Sequence, residues 1–321
     1  MHVTDKAEPS IATIAVLMTC FNRRAQTLAC VRSLFTQQQI PQLQLQLFLV
    51  DDGDDGTGTA IAAEFPQVHV IQGNGQLYWA GGMRLAWQQA LATQECVNRD
   101  DLNAVSDAAN SRPTFAAYLW LNDDVELQQD ALCRLWQSYQ ELQHHSEPLG
   151  ALVGTVISRH SGHVSYGGRR QSSRWLPLTL SPPLVPTEQS QCCDFINGNI
   201  CLISASGVET LGILSARFTH SMADFDYGLR LKAVGFSLWV APGSYGYCEP
   251  NPPAKSVLNK ARPFAERLAS LSRPNVWPPA DEWSYFVRCH GGPLWPILWC
   301  KVQLRRWLPA LWLWWMQRDL S

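Results

Sequence analysis

The chain has 321 residues, of which 46% are hydrophobic and 16% charged, and its formal net charge is −2. This length and apolar content exclude a globally disordered chain and allow one large domain, or one domain with an extension. A nearly neutral charge argues against a nucleic-acid-binding protein, which usually carries a basic surplus.

Cysteine spacing and the first residues indicate the compartment. The ten cysteines include no CxxC pair, so a thiolate zinc site or a thioredoxin-type motif has little support. The opening MHVTDKAEPS lacks the basic and apolar regions of a signal peptide. We therefore expect a cytoplasmic protein whose thiols are reduced and mostly fill the core.

Strands and helices alternate in the first part of the chain. Apolar runs of β-forming residues predict strands at 11–19, 43–50, 68–72 and 115–121, with helical spacing of apolar residues between them. This alternation predicts a mostly parallel sheet with helices on both faces.

Polar clusters follow the predicted strands. They are Asn22 and Arg23, Asp51 and Asp52, the Gly81–Gly82 pair and residues 122–124. In parallel sheets ligands bind beyond the carboxyl ends of the strands, so we expect these clusters to line one cleft.

The second part of the chain has a different pattern. Strand-like runs recur after residue 150, residues 169–193 predict a loop, and ADFDYGLRLKAVG predicts a helix that ends at a glycine cap, Gly235. Residues 291–316 hold six of the 14 tryptophans, with three basic residues and three prolines, of which Pro296 and Pro309 would bend the apolar run. The uncharged pieces are too short to span a bilayer, and two alternatives stay open for this segment: contact with a membrane interface, or packing on protein.

Five stretches, in order, resemble a known family: VLMTCFNR, LVDDGDDGTG, GNGQLYWAGGMRLAW, YLWLNDDVEL and FTHSMADFDYGLRLKAVGF. Together they are similar to the family 2 inverting glycosyltransferases of GT-A fold, above all to the rhamnosyltransferase and galactofuranosyltransferase branches. The resemblance covers roughly residues 11–250.

The resemblance implies the fold and its division. We expect an α/β protein of GT-A fold, with a Rossmann-like, mostly parallel central sheet flanked by helices and a C-terminal helical extension. Residues 1–250 would form the glycosyltransferase domain, with a nucleotide-binding half at about 11–125 and an acceptor-binding half at about 126–250. Residues 251–321 would form the tryptophan-rich extension.

Such an enzyme must hold a nucleotide, neutralise a leaving diphosphate and remove a proton from an acceptor hydroxyl. Carboxylates meet the last two needs, because Mg²⁺ and Mn²⁺ take oxygen ligands and a positioned carboxylate acts as a general base. The resemblance carries the nucleotide-sugar contacts over to a set of residues at the strand ends: Thr19, Phe21, Asn22, Arg23, Asp52, Trp79, Gly81, Gly82, Arg84, Asn122 and Asp123.

Some of these residues also have simpler readings. The Asp51–Asp55 run is typical of a solvated turn, and paired glycines are typical of tight helix–strand packing. The third glycine of a dinucleotide fingerprint is replaced by Tyr78, so GNG is not that motif.

The metal-binding motif departs from the family's D-x-D, since Asn122 replaces the first aspartate. The resemblance implies that Asp124 ligates Mn²⁺ or Mg²⁺, while Asp123 or Asn122 contacts ribose or a bound water. The alternative is a cluster of charges at a helix N-terminus. A histidine that often completes the family's metal site is absent from YGYCEPNPP, which leaves a further protein ligand in doubt.

The acidic motif near residue 224 also departs from the family, because Ala223 takes its first acidic position. The resemblance implies that Asp224 is the general base, and we expect a helix N-terminus to favour its charged form. Asp226 and His220 are weaker candidates for the acceptor pocket. Asp226 lies four residues before Arg230 and can form a simple ion pair, and a lone histidine is more often structural.

The sequence thus predicts a metal-dependent inverting hexosyltransferase. Its donor would be a nucleotide diphospho-sugar, with dTDP-rhamnose the first candidate and UDP-sugars next, and its acceptor a glycan or lipid-linked saccharide of surface polysaccharide such as lipopolysaccharide. The C-terminal segment would contact the inner face of the cell membrane, as a peripheral protein does. Two alternatives remain: an inactive scaffold of the same fold, and a sugar-phosphate nucleotidyltransferase, which should show a glycine-rich loop where this chain has TCFNRR.

Overall fold

The computed structural model describes residues 11–40, 43–100, 115–144, 147–173, 175–250 and 257–316, and for 95–100 it describes the backbone alone. The strands within these ranges are β1 (Ala12–Cys20), β2 (Leu43–Asp51), β3 (His69–Gln72), β4 (Phe115–Leu121), β5 (Glu126–Leu127), β6 (Leu149–Ile157), β7 (Val164–Tyr166), β8 (Gln191–Cys192), β9 (Ile200–Ser204) and β10 (Ser237–Tyr247). The helices are α1 (Arg24–Phe35), α2 (Thr57–Glu64), α3 (Tyr78–Asp100), α4 (Ala131–Leu142), α5 (Ala205–Leu211), α6 (Ala223–Ala233), α7 (Phe264–Ser270), α8 (Ala280–His290), α9 (Trp295–Trp307) and α10 (Pro309–Met316).

The strands form one mixed sheet in the order β3-β2-β1-β4-β9-β6-β10-β5, with β7 beside β6 and β8 beside β10. The half from β3 to β4 is parallel, and β6 is parallel to β10. Strand β9 runs antiparallel to both of its neighbours, β4 and β6. The predicted α/β fold, a mostly parallel central sheet with flanking and C-terminal helices, is confirmed.

Period-two alternation divides the core between the two faces of the sheet. On β1, Val16 and Met18 join the cluster that packs under α1 and α4, whereas Ala15 and Leu17 join the cluster under α3, α5 and α6. A strand buried on both faces must be apolar throughout, which is why β1 shows no alternation in the sequence.

The two most specific local predictions are confirmed. Strand β4 covers residues 115–121 as predicted. Helix α6 gives way at Val234 to Gly235, whose φ of 93° is left-handed and suits the glycine that commonly follows a helix.

The C-terminal helices are attached to the core through α8. Its Phe286 is fully buried and packs edge-to-face on Phe218, with ring centroids 6.2 Å apart. Helices α9 and α10 continue from α8. No helix among the described residues combines the length and apolar character needed to cross a membrane.

Candidate functional site

A cavity of about 730 Å³ opens where β1, β2 and β4 end. This volume lies within the range of sites that hold a whole small-molecule ligand. Nine of the sequence-predicted residues line it: Thr19, Phe21, Arg23, Asp52, Trp79, Asn122, Asp124, His220 and Asp224. Asp124 and Asp224, a hundred positions apart in the chain, therefore face one hollow.

The turn that follows β4 separates the three polar residues of the metal motif. Asn122 and Asp124 line the cavity, whereas Asp123 is 1% exposed and does not line it. Its carboxylate pairs with Arg23 and accepts from Thr27 Oγ1 at 3.2 Å. Burial raises the pKa of Asp123 to about 7, although the Arg23 charge opposes the rise. The ribose or water contact predicted for Asp123 or Asn122 is not supported for Asp123, because its side chain is buried, and stays a prediction for Asn122, which lines the cavity.

Asp124 is the one carboxylate of the metal motif that lines the cavity. Its Oδ2 accepts from Arg23 Nη1 at 2.8 Å, and its Oδ1 lies 3.5 Å from the thiol of Cys248. Burial raises the pKa of that thiol, and the Asp124 charge raises it further, so Cys248 is a neutral donor. Cys248 immediately follows β10, in the segment where the family histidine was expected.

Asp52 organises the wall beside the strand ends. Its Oδ1 accepts from Gly75 N at 2.7 Å, and its Oδ2 accepts from Leu77 N at 2.8 Å and Tyr78 N at 3.3 Å. Three backbone amides thus hold this carboxylate. Asp52 shapes the 73–78 loop at the cavity, and it has less freedom to accept from a base than the sequence suggested.

Asn22 is exposed and does not line the cavity. Its φ is 51°, and its side chain bridges both the N–H and the carboxylate of Asp54 at 2.9 Å. It therefore ties the loop after β1 to the loop after β2, instead of lining the cavity as we had expected. Phe21, 53% exposed, lies beside it as an aromatic surface at the cavity mouth.

Asn122 and Trp79 form one unit. Trp79 Nε1 donates to Asn122 Oδ1 at 2.8 Å, and the indole packs edge-to-face on Trp120 at 6.0 Å. The backbone N–H of Asn122 donates to Asn199 O at 3.0 Å. The asparagine that replaces the first motif aspartate thus fixes a tryptophan against the cavity.

The two glycines act through packing and not through the ligand. A side chain at Gly82 would overlap Thr19, and a Cβ at Gly81 would lie 3.2 Å from Leu77 Cβ. Helix α3 begins at Tyr78, so Gly81 and Gly82 are its fourth and fifth residues. The predicted ligand approach is corrected to close contact between α3 and β1.

Arg84 is not brought to the cavity. Its Nη1 donates to the carbonyls of Ser215 at 2.9 Å and Phe218 at 2.8 Å. The guanidinium holds the loop before α6, so its predicted donor contact has no support from its position.

Asp224 lies in the first turn of α6, in the cavity wall. Its oxygens accept from Phe225 N at 2.9 Å and Gly198 N at 3.3 Å. Burial nevertheless raises the pKa of Asp224 to about 6. We had expected the helix N-terminus to favour the charged form, but desolvation outweighs it. A carboxyl with this pKa is mostly ionised at neutral pH and is a better proton acceptor than an ordinary aspartate.

His220 is the second titratable group on this wall. Its Nδ1 accepts from Trp79 N at 3.4 Å, which leaves Nε2 to carry the proton. Burial, with a smaller effect from Arg23, lowers the pKa of His220 to about 4. It is therefore neutral at neutral pH and can donate a hydrogen bond to a ligand.

Asp226 points away from the cavity. It is 1% exposed, and its oxygens pair with Arg230 Nε at 2.7 Å and His290 Nε2 at 2.9 Å. The acceptor role that we had proposed for Asp226 is not supported. The simple ion pair with Arg230 is present, and it also fastens α6 to α8.

We expect Asp226→Ala to lower the free energy of unfolding by about 3–5 kcal/mol, because it leaves the Arg230 guanidinium without its buried counter-charge and the His290 ring without its hydrogen-bond partner. Urea unfolding followed by circular dichroism measures this loss. The matched control is Asp130→Ala, which removes an i,i+4 pair with Arg134 in a more exposed position and should cost at most about 1 kcal/mol. Equal losses in the two variants would contradict a structural role for Asp226.

Several cavity residues were not found from the sequence. Asn197, Gly198 and Asn199 precede β9 and face Asp224, and their NGN pattern was a usable turn signal. Arg273 and Asn275 come from the connection between α7 and α8. No motif marks these two, and their contribution shows that the C-terminal segment forms part of the cavity wall.

The cavity residues alone do not complete the coordination of a divalent cation, so a bound diphosphate would have to supply further oxygen ligands. Among the described residues no group of three or more His, Cys, Asp or Glu side chains could hold a metal. Asp124 offers one carboxylate to the cavity. Mg²⁺ is typically held by one or two carboxylates together with substrate phosphates, so Asp124 suits a metal that a diphosphate also ligates.

Two comparisons place the chain among known proteins. Residues 15–97 match the family described as Glycosyl transferase family 2. The fold resembles a solved structure of the mannosyltransferase PcManGT from Pyrobaculum calidifontis in complex with GDP-Man and Mn²⁺, with a TM-score of 0.52 and 14% identity over 94% of this chain and 71% of that one. No curated protein sequence matches the chain significantly.

These findings give the fold and a partial family match. The fold is GT-A-like, and residues 15–97, which build the first three strands and most of α3, match glycosyl transferase family 2. Neither comparison supports the rhamnosyltransferase or galactofuranosyltransferase branch in particular.

Proposed function

We propose that this protein is a glycosyltransferase that uses a nucleotide diphospho-sugar. The observation that carries the proposal is the shared cavity of Asp124 and Asp224: one carboxylate just after β4 and a second, with a raised pKa, in the first turn of α6. The nucleotide-binding half at about 11–125, the acceptor-binding half at about 126–250 and the extension from 251 belong to the same proposal.

The chemistry of this cavity suits a single in-line displacement with inversion. The acceptor oxygen attacks the anomeric carbon, its proton passes to Asp224, and the bond from the anomeric carbon to the diphosphate breaks. His220 and Arg23 supply a neutral and a cationic donor on the same cavity surface. A positioned base of this kind contributes about 10²–10⁴ in rate.

A bound Mn²⁺ or Mg²⁺ would neutralise the charge that develops on the leaving diphosphate. Asp124 is the residue that would hold it, with the diphosphate oxygens completing the coordination. The mannosyltransferase of similar fold contains Mn²⁺ together with GDP-Man. The GDP-Man in that structure adds GDP-sugars to the candidate donors of this protein, beside the dTDP-rhamnose and UDP-sugars expected from the sequence.

The rate should depend on pH through Asp224. Because its pKa is raised to about 6, the active carboxylate is lost as pH falls through about 6, roughly two units above the range of an ordinary aspartate. We expect kcat/KM for a limiting acceptor to fall tenfold per unit below this value and to level off above it. A profile that is flat between pH 5 and 7 would contradict the role of Asp224 as base.

We also propose that the acceptor is a glycan or lipid-linked saccharide at the cytoplasmic face of the membrane. Among the described residues, six of the fifteen exposed large hydrophobic side chains fall in α9, α10 and the residue between them, among them Trp307 at 71% and Leu308 at 53%. Lys301 and Arg306 are exposed in the same stretch, and no acidic residue occurs between residues 291 and 316. Aromatic and cationic side chains together suit an anionic lipid interface.

Vesicle binding tests this surface. The full-length protein should sediment with phosphatidylcholine vesicles that contain phosphatidylglycerol, and less with phosphatidylcholine alone. Arg306→Glu should weaken binding about fivefold or more, since each basic residue near an anionic surface contributes about 1 kcal/mol. Trp307→Ser should weaken it as well, whereas Trp175→Ser, which replaces a tryptophan 63% exposed in the 169–193 loop, should not. Equal binding to both vesicles, or a dimer that buries this face without lipid binding, would contradict the proposal.

The main alternative is an inactive protein of the same fold that binds nucleotide sugars. The replaced acidic positions at Asn122 and Ala223 favour it. A nucleotidyltransferase is disfavoured because the loop after β1 contains no glycine.

Thermal-shift screening against UDP-, GDP- and dTDP-sugars, with and without Mn²⁺, tests the proposal directly. A glycosyltransferase should be stabilised by one nucleotide class and should hydrolyse or transfer that sugar slowly. An inactive scaffold would show the thermal shift without turnover. If no nucleotide sugar shifts the melting temperature, both the glycosyltransferase and the scaffold proposals are wrong.

A further inference from the structure

The side of Asp124 that faces the cavity already has a cationic partner within the chain. Arg23 reaches across from the start of α1, with Nη1 on Asp124 Oδ2 at 2.8 Å and Nη2 on Asp123 Oδ1. The Cys248 thiol engages the other oxygen of Asp124. Both carboxylate oxygens of the candidate metal ligand are therefore occupied by protein donors.

The surroundings hold Arg23 in this bridge. Asp123 is fixed beneath it by Thr27, so the guanidinium faces two carboxylates one residue apart. Burial disfavours the charge, yet Asp123 and Asp124 together hold the pKa of Arg23 above its ordinary value. The side chain is still 42% exposed, so its head group has room to leave Asp124 without disturbing the core.

We propose that Arg23 is the resident counter-cation of this carboxylate pair and that it makes metal binding depend on the donor diphosphate. A divalent cation alone has to displace the guanidinium and gains a single carboxylate. A diphosphate supplies further oxygen ligands for the cation and a new anionic partner for Arg23. This inference rests on the proposed function, because it takes the ligand to be a nucleoside diphosphate.

Mn²⁺ binding to the full-length protein, followed by electron paramagnetic resonance of free Mn²⁺, tests the inference without any activity assay. Wild-type protein should bind Mn²⁺ weakly, and adding UDP, GDP or dTDP should tighten binding at least tenfold. Arg23→Gln should bind Mn²⁺ without nucleotide at least tenfold more tightly than wild type, and the gain should vanish in Arg23→Gln/Asp124→Asn.

Three further variants make the result specific. Arg23→Met is a second neutral replacement and should behave as Arg23→Gln does. Arg23→Lys keeps the charge and should bind Mn²⁺ alone nearly as weakly as wild type. Arg32→Gln removes another arginine of α1, which pairs with Glu64 outside the cavity, and should leave Mn²⁺ binding unchanged.

The outcomes separate the two proposals. If the neutral Arg23 variants bind Mn²⁺ no more tightly than wild type, or if the gain survives loss of Asp124, the counter-cation role is wrong while the proposed function stands. If no nucleotide binds to any variant, the proposed function fails, and the nucleotide-free comparison still reports on Arg23.

Discussion

Asp224→Asn should lower kcat by about 10²–10⁴ while leaving the binding of the donor nucleotide sugar within a few-fold of wild type. The amide cannot take the proton of the acceptor hydroxyl, and loss of a positioned base costs rate of this order. It can still accept from the amides of Gly198 and Phe225, so the fold of this wall should persist. Initial rates with saturating donor and acceptor, together with calorimetric titration of the donor, measure the two quantities.

The control is Asp281→Asn, which replaces an aspartate in the first turn of another helix, α8, outside the cavity. It should retain full activity. If Asp224→Asn reacts at the wild-type rate, Asp224 is not the general base. An equal loss of donor affinity and kcat would instead indicate a role in binding.

Asp124→Asn should abolish Mn²⁺ binding that depends on nucleotide and lower kcat/KM by about 10²-fold or more. This corresponds to roughly 3 kcal/mol, the scale on which a metal ion stabilises developing charge. Asparagine offers a neutral oxygen, and it also releases Arg23, which then has Asp123 as its remaining carboxylate partner. Steady-state kinetics over a range of Mn²⁺ concentrations would show whether excess metal restores the rate.

The matched control for this variant is Glu126→Gln, two residues further along the chain. Glu126 is exposed, pairs with Arg159 and does not line the cavity. Its loss should leave both Mn²⁺ dependence and kcat/KM unchanged. Full activity of Asp124→Asn in the presence of a chelator would show that the reaction proceeds without a metal at this carboxylate.

The fold was predictable because the pattern that encodes it is local. Strands buried on both faces need unbroken apolar runs, and β1 and β4 have them. The polar residues at their ends could be assigned to one cleft, since parallel strands place their carboxyl ends at the same edge. The location of Asp124 and Asp224 in one cavity follows from that rule and from the family resemblance.

The roles predicted for Arg84 and Asp226 were not supported, because the partners of these side chains lie far away in the sequence. Arg84 bonds to carbonyls more than 130 residues away, and Asp226 to His290, 64 residues away. Neither partner is visible in a local motif. For Asp226 the simple i,i+4 pairing with Arg230 was the better prediction.

The inward turn of Asp123 has a different cause. Residues 122–124 form a turn directly after β4, which ends at Leu121, so strand alternation could not have shown that Asn122 and Asp124 line the cavity while Asp123 is buried. The raised pKa of Asp224 was missed because helix position was weighed without burial, and the desolvation of a cavity wall is a tertiary property.

The most direct test of the central claim is a crystal structure of the full chain with Mn²⁺ and the nucleoside diphosphate that the screen selects. We expect an anomalous Mn²⁺ peak between the Asp124 carboxylate and the diphosphate, with Asp224 facing the vacant sugar position and Arg23 turned from Asp124 to the phosphate. A nucleotide bound outside this cavity, or a diphosphate in it that contacts neither Asp124 nor a metal, would show that the proposed donor site is wrong.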